Sequence, residues 1–322
     1  MIRHRSIVTL TLNPTIDGAS EADTIRPLHK IRTSNERYSP GGGGINVARA
    51  IRALGGEAAA IYLAGGPTGE VLEALVREAE LDGQRIRVAG STRIAHAVFE
   101  RSSGLEYRFV PEGPEISAAE WAACRTAVTE RRWDYLVASG SLPPAAPVEA
   151  YAELAAVARH REARLVLDSS GAALRAALEE RVFLVKPSLG ELESLVGHRL
   201  ESDELRFAAA EEIVASGRAA VVALSLGHEG AMLVTRAEKL RLRPPPVEAR
   251  SAVGAGDAFV GAMTLALARG RPAADAFAYG VAAGTAAVAA PGHEPVRLGD
   301  VERLYQALSR PDADVLAGPA PG

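Results

Sequence analysis

The chain has 322 residues, 48% of them hydrophobic, which is enough for one large α/β domain or two smaller ones around a sizeable core. Its formal net charge of −4 gives no electrostatic reason to bind nucleic acid or an anionic membrane. Cys124 is the only cysteine, which excludes an intramolecular disulfide, argues against a cysteine-based zinc site and fits a reducing cytoplasm.

Met1 to Ser6 lead into a strand-like run rather than the apolar core of a signal peptide. Ser6 to Leu12 is β-rich and stops at the turn signal Asn13-Pro14. Residues 20–38 are polar and irregular, compatible with short exposed strands. Pro40 and four glycines, Gly41 to Gly44, then open a helical pattern from Ile45 that ends at Gly55-Gly56. Ala58 to Leu63 reads as a buried strand, and Thr68 to Leu81 as an amphipathic helix capped by Thr68. Residues 86–110 break this rhythm: Arg93 to Arg101 and Leu105 to Val110 alternate around Ser102-Ser103-Gly104, a hairpin signature. Together with residues 20–38 they predict a small sheet outside the main body.

Strands and helices then alternate. Helices over 117–132, 147–162 and 171–180 precede strands over 135–139, 164–168 and 182–186, and helices over 190–196 and 203–216 precede a strand over 220–225. This βαβ alternation predicts a parallel sheet covered on both faces. The turns Gly140-Ser141, Asp168-Ser169, Lys186-Pro187 and Leu226-Gly227 mostly follow strand ends, where open α/β sheets bind ligands. The longest apolar stretch, Val281 to Ala290, is alanine-rich and too short to span a bilayer. Residues 310–322 read as a frayed tail. The seven histidines form no metal pattern; His96 and His293 read as structural or exposed.

Gly254-Ala255-Gly256-Asp257 carries the most chemistry. Two glycines at the start of an apolar helix present free N–H groups and the positive end of the helix dipole to an anion. An aspartate in that turn could take the proton of a hydroxyl attacking a phosphoryl group. The same residues would also serve as an ordinary helix cap with flanking glycines. Gly41 to Gly44 allow either close backbone approach to a polar ligand or a tight packing turn, and four in a row favour the ligand. Neither Gly-Lys of a Walker A loop nor Gly-x-Gly-x-x-Gly of a dinucleotide site occurs. Only Lys30, Lys186 and Lys239 stand against 33 arginines, so a lysine at a phosphate site is notable.

Gly-Gly-Gly-Gly-Ile-Asn-Val-Ala-Arg-Ala at 41–50 and Val-Gly-Ala-Gly-Asp-Ala-Phe at 253–259 resemble the two signatures of the PfkB, or ribokinase-like, sugar kinases, and the likeness extends over residues 5–309. Thr9 to Asp17, Ser139 to Pro144, Asp168 to Gly171 and Pro244 to Val247 are similar to the phosphosugar branch, 6-phosphofructokinases above all; 1-phosphofructokinases and tagatose-6-phosphate kinases usually carry Lys where this chain has Gly43. The resemblance implies a doubly wound α/β/α sandwich with a small β-sheet lid near 18–38 and 86–110, in one kinase domain, and a homodimer paired through the lid.

It further implies ATP-dependent phosphorylation of the C1 hydroxyl of fructose 6-phosphate, with 1-phosphofructokinase or tagatose-6-phosphate kinase activity as the alternative. Asp257 would be the base, and Gly254, Ala255 and Gly256 would frame the anion hole with it. Asp17, Gly42, Gly43 and Asn46 would bind the sugar, and Lys30, Arg32, Arg93 and Ser141 its phosphate. Lys186, Ser188, Ser225 and Gly227 would hold ATP. Glu191 would organise Mg²⁺ through water, and carbonyls near Ala252 and Ala290 would take a monovalent cation such as K⁺. Ser188 departs from the family's Asn-x-x-Glu and implies looser use of Mg·ATP. A catalytically silent sugar-phosphate sensor is the contrasting reading, motivated by Ser188 alone.

Overall fold

The computed structural model describes residues 5–290 and 294–308; His293 and the expected tail at 310–322 lie outside them. The first half runs β1 (Ile7–Thr11), β2 (Thr15–Ala22), β3 (Ser34–Gly41), α1 (Gly43–Ala53), β4 (Ala59–Gly65), α2 (Gly66–Glu78), β5 (Asp82–Val88), β6 (Arg93–Glu100), β7 (Leu105–Phe109) and α3 (Ala118–Glu130). It continues through β8 (Tyr135–Ser139), α4 (Ala150–His160), β9 (Arg164–Asp168), α5 (Gly171–Glu179), β10 (Val182–Val185), α6 (Leu189–Val196) and α7 (Asp203–Ala215). The last elements are β11 (Ala219–Ser225), a 3₁₀ turn at Gly227–Glu229, β12 (Ala231–Thr235), β13 (Lys239–Leu242), α8 (Ala255–Ala268), α9 (Ala273–Ala289) and α10 (Leu298–Leu308).

Nine strands form the main sheet in the order β13-β12-β11-β10-β9-β8-β1-β4-β5. Those from β11 to β5 are parallel; β12 and β13 turn back antiparallel at one edge. Period-two alternation sends neighbouring side chains to opposite layers. Leu136 and Leu167 join Trp121, Tyr151, Leu174 and Ile213 from α3, α4, α5 and α7. Tyr135, Val137 and Val166 join Ile51, Phe259, Phe277 and Leu304 from α1, α8, α9 and α10. The strand order reverses between β1 and β8, which opens a crevice at their carboxyl ends.

The expected accessory sheet is present, with four strands in the order β3-β2-β6-β7. Its limits differ from the sequence reading. β2 begins at Thr15 and so carries Asp17, while β5 belongs to the edge of the main sheet through parallel pairing with β4. The helix expected from Thr68 starts at Gly66, with Gly65 as its N-cap; the Thr68 hydroxyl donates instead to the Thr92 carbonyl at 2.7 Å. The β12–β13 hairpin had no counterpart in the sequence reading.

The glycine run meets a packing demand at every position. A Cβ on Gly41 would lie 2.0 Å from an Asp17 carboxylate oxygen, and one on Gly43 2.3 Å from the Ser139 hydroxyl. Gly42 has φ of +106° and faces Thr11 and Pro14, and Gly44 sits against the Leu10 carbonyl. Close packing against Asp17 of β2, the β1–β2 connection and the ends of β1 and β8 thus requires glycine at each of the four positions. Gly44→Ala, whose Cβ would stand 2.4 Å from the Leu10 oxygen, is expected to lower the unfolding free energy by roughly 1–3 kcal/mol. Gly190→Ala, inside α6 with open space around it, is expected to be neutral or to raise it by up to about 1 kcal/mol; denaturant midpoints of the two variants read the contrast.

Candidate active site

The rim of the crevice gathers side chains from distant parts of the chain. Gly254, in the left-handed region at φ 74°, caps α8 and puts Asp257 in its first turn. The Asp257 carboxylate accepts from the Asn46 amide of α1 at 3.0 Å and from the Ser139 hydroxyl at the end of β8 at 3.3 Å. Burial, then the nearby Asp168 charge, push its pKa up to about 7, against the pull of Asn46, Lys186 and Ser139. The first N–H groups of α8 have no partner within the helix and face the same space.

Asp17 lies on β2, pressed against the Cα of Gly41. Burial lifts its pKa to about 6, opposed by the charges of Arg49, Arg108 and Arg93. Arg49, one turn after Asn46 on α1, donates to the Asn46 side-chain oxygen at 3.3 Å and to the Pro40 carbonyl at 3.4 Å. Burial lowers its pKa, and the charges of Asp17 and Asp257 hold it up. One cation thus serves two carboxylates.

On the other side of Asp257, Lys186 follows β10 and pairs with Asp168 at 3.1 Å. Burial disfavours its ammonium, but Asp168, Glu191 and Asp257 more than compensate, and its pKa is raised. A Cβ on Gly256 would lie 3.6 Å from the Lys186 ammonium, so the glycine turn and the lysine line one space. Ser225 at the end of β11 donates its backbone N–H to the Pro187 carbonyl at 2.9 Å and forms a parallel bridge with Ser188. Gly227 opens the 3₁₀ turn at φ 61° with no atom near its missing Cβ.

Ser188 is the N-cap of α6. Its hydroxyl accepts from the Glu191 N–H at 3.3 Å, and the Glu191 carboxylate accepts from the Ser188 N–H at 2.7 Å. This reciprocal capping box is work that Asn and Ser do about equally well. Among the described residues no group of three or more His, Cys, Asp or Glu side chains could hold a metal. The carboxylates present suit Mg²⁺ that arrives on phosphates and keeps most of its water.

The expected phosphate contacts are placed unevenly. Lys30 and Arg32 are exposed on the segment between β2 and β3. The Arg93 guanidinium donates to the carbonyls of Pro14, Pro111 and Asn13 at 3.3, 2.8 and 2.8 Å, tying the start of β6 to the β1–β2 connection and to the segment after β7. Ser141 is exposed, and its hydroxyl accepts from the Asn13 amide at 3.4 Å. Sequence reasoning gave no role to Arg49, Arg108, Ser139 or Asp168, although Ser139 and Asp168 stand in motifs that it named. Arg49 carried a readable signal, one helical turn from Asn46; Asp168 ends an apolar strand on the rim; the role of Ser139 depends on a partner 118 residues away.

A doubly wound sheet with a carboxylate at a glycine-flanked helix start and a small accessory sheet is the architecture of the ribokinase-like sugar kinases. Residues 11–296 match the model of the pfkB family carbohydrate kinases, and the chain belongs to that family. It is 42% identical over 307 residues to ATP-dependent 6-phosphofructokinase isozyme 2 of Escherichia coli, covering 94% of this chain and 99% of that protein. The Mycobacterium tuberculosis protein of the same name is 41% identical over 309 residues, covering 95% of this chain and 90% of its own. The structure of phosphofructokinase-2 from E. coli in complex with potassium superposes with a TM-score of 0.92 at 41% identity, over 95% of this chain and all of that one. The Arabidopsis thaliana ribokinase complexed with ribose and ATP shares the fold, with a TM-score of 0.72 at 18% identity over 94% of this chain and 99% of that one.

One expectation is corrected. Phosphofructokinase-2 from E. coli is solved in a tetrameric inhibited form, at a TM-score of 0.90, 41% identity and coverage of 95% of this chain and all of that one. The expectation of a simple homodimer paired through the lid is therefore not carried over to this chain. Pairing through the lid would engage only the accessory sheet and leave the body of each subunit open to further association.

The capping box sets a direct comparison. Ser188→Ala is expected to cost about 1 kcal/mol of unfolding free energy, and Ser188→Asn almost nothing, as read from thermal and denaturant unfolding.

Proposed function

We propose that the chain is an ATP-dependent 6-phosphofructokinase, a single kinase domain that phosphorylates the C1 hydroxyl of fructose 6-phosphate to give fructose 1,6-bisphosphate. The observation that carries the reading is the Asp257 carboxylate, fixed by Asn46 and Ser139 beside the glycine turn with its pKa lifted to about 7. A base is most effective with a pKa near the working pH. The names of the E. coli and M. tuberculosis relatives support the choice of substrate.

Asp257 takes the C1 hydroxyl proton as that oxygen attacks the γ-phosphorus of ATP. The bond from phosphorus to the β–γ bridging oxygen breaks, and ADP leaves. The N–H groups of Ala255, Gly256 and Asp257 face the charge that develops on the transferred phosphoryl oxygens. Lys186 offers a fixed ammonium on the same side, and Ser188, Ser225 and Gly227 border the space for the nucleotide phosphates. Bound Mg²⁺ would neutralise phosphate charge, with Glu191 contacting it through water.

Asp17, with Gly42, Gly43 and Asn46, receives the sugar hydroxyls. Lys30, Arg32, Arg93 and Ser141 face its 6-phosphate, which also selects phosphosugars over free sugars. The backbone N–H groups of Arg250 and Ser251 donate to the Val288 carbonyl at 2.9 and 3.2 Å, which brings together the two segments assigned to a monovalent cation such as K⁺. No helix of the described residues is long and apolar enough to cross a membrane. A cytoplasmic setting suits the free, buried Cys124.

An ADP-release assay over a panel of sugars and sugar phosphates tests the reading. Turnover is expected with fructose 6-phosphate; turnover of free fructose or a nucleoside in its place would overturn it. Asp257→Asn is expected to lower kcat by roughly 10²–10⁴-fold. Because an amide avoids burying a charge, the variant's melting temperature at pH 8 should equal or exceed that of the parent chain. A kcat like the parent's would remove Asp257 as the base.

A further inference from the structure

Behind the turn that borders the nucleotide phosphates lies a charge cluster that none of the expected roles uses. β13 runs antiparallel to β12 and places Arg241 opposite Met232, next to the 3₁₀ turn Gly227–Glu229. The Arg241 side chain is only 3% exposed. Its Nη1 donates to the Glu229 carbonyl at 2.7 Å and to the Leu242 carbonyl at 3.2 Å, and its Nε to the Asp203 carboxylate at 3.1 Å. Arg206 on α7 bridges the same Asp203 at 2.9 Å and the Glu229 carboxylate at 3.0 Å, and its Nε donates to the Leu200 carbonyl at 3.1 Å. Two arginines and two carboxylates alternate around the outer side of one turn.

The geometry has a consequence for the turn. Gly230, at φ 98°, is pressed against the Leu242 carbonyl, and a Cβ there would stand 2.1 Å from it. Leu226 donates its N–H to the Gly230 carbonyl at 2.8 Å, which closes the loop on itself. The turn is thus held at its far end by the Arg241 fork while its near end, Ser225 and Gly227, borders the space opposite Lys186. A planar guanidinium that grips a carbonyl and a carboxylate in two directions fixes a backbone in a way an ammonium cannot. Removing one partner from a buried charge network leaves the others unpaired, which disturbs the turn before it disturbs the sheet.

We propose that Arg241 is a positioning residue for nucleotide binding. Through the Glu229 carbonyl and the Asp203–Arg206–Glu229 relay, it holds the Ser225–Gly230 turn in the conformation that receives the triphosphate. Arg241 touches neither substrate nor reacting atoms. The inference rests on the assignment of that turn to ATP and is independent of which phosphosugar is phosphorylated.

Equilibrium binding of a non-hydrolysable ATP analogue with Mg²⁺, measured by calorimetry on the full chain, tests it without requiring turnover. Arg241→Gln is expected to weaken analogue binding about tenfold, because the turn is then in its binding conformation for only a fraction of the time. Steady-state kinetics should show the same rise in KM for ATP, with KM for fructose 6-phosphate and kcat within about twofold of the parent. Arg241→Lys should recover only part of the loss. Arg206→Met, which leaves Arg241 in place, should give a smaller shift of the same kind and keeps the test open if Arg241→Gln does not fold. Unchanged analogue affinity in the folded variants, or equal loss for both substrates, would overturn the proposal. Tight analogue binding that weakens in Arg241→Gln, combined with no turnover of fructose 6-phosphate by the parent chain, would support the proposal and overturn the phosphofructokinase reading instead.

Discussion

The Asp257 carboxylate accepts one hydrogen bond from α1 and another from the end of β8, and the packing of the chain is arranged so that both donors can reach it. α8 is buried on nearly every side, so its approach to α1 depends on small residues. A Cβ on Gly261 would stand 3.0 Å from the Val47 carbonyl and 3.1 Å from the Ala50 side chain. Gly280 and Gly284 of α9 fit against Phe259 in the same way. On the opposite side, Gly43 and Gly44 let α1 settle onto Ser139 and Leu10. The position of one carboxylate is set by glycines on three helices.

The electrostatics follow from that packing. Two carboxylates, Asp17 and Asp257, lose water and have raised pKa values, and Arg49 between them compensates only part of the cost. Their charged forms oppose folding, so the stability each withholds grows as pH rises from the ordinary carboxylate range through the raised pKa. Under the proposed mechanism, that stability cost sustains a base that accepts a proton near neutral pH. The Lys186 ammonium, paired with Asp168 at 3.1 Å, stands beside the glycine turn and draws on the Asp257 charge as well.

Much of this was legible because it was local. The Gly254–Asp257 turn is four consecutive residues, and the strands β8 to β11 are short apolar runs. Strand β5 was missed because Asp82-Gly83-Gln84-Arg85-Ile86-Arg87-Val88 is an edge strand, polar and largely uncovered. β12 and β13 depart from the βαβ rhythm by turning back across the 3₁₀ turn. The packing demand on Gly41 to Gly44 was not legible because Asp17 and the strand ends that crowd them come from other segments. The contacts of Asp257 with Asn46 and Ser139 span 211 and 118 residues, beyond the reach of any periodicity. Ser188 stood out as a departure from a motif; that its hydroxyl also completes a capping box with Glu191 is a local fact of the helix start.

The pH dependence of kcat/KM for fructose 6-phosphate at saturating Mg·ATP tests the central claim most directly. A general base must be deprotonated to act, so activity is retained above its pKa and lost as pH falls through it. With Asp257 lifted to about 7, the account predicts an acid limb with its midpoint near pH 7. A profile that stays flat down to about pH 5, the behaviour of an ordinary exposed carboxylate, would contradict it.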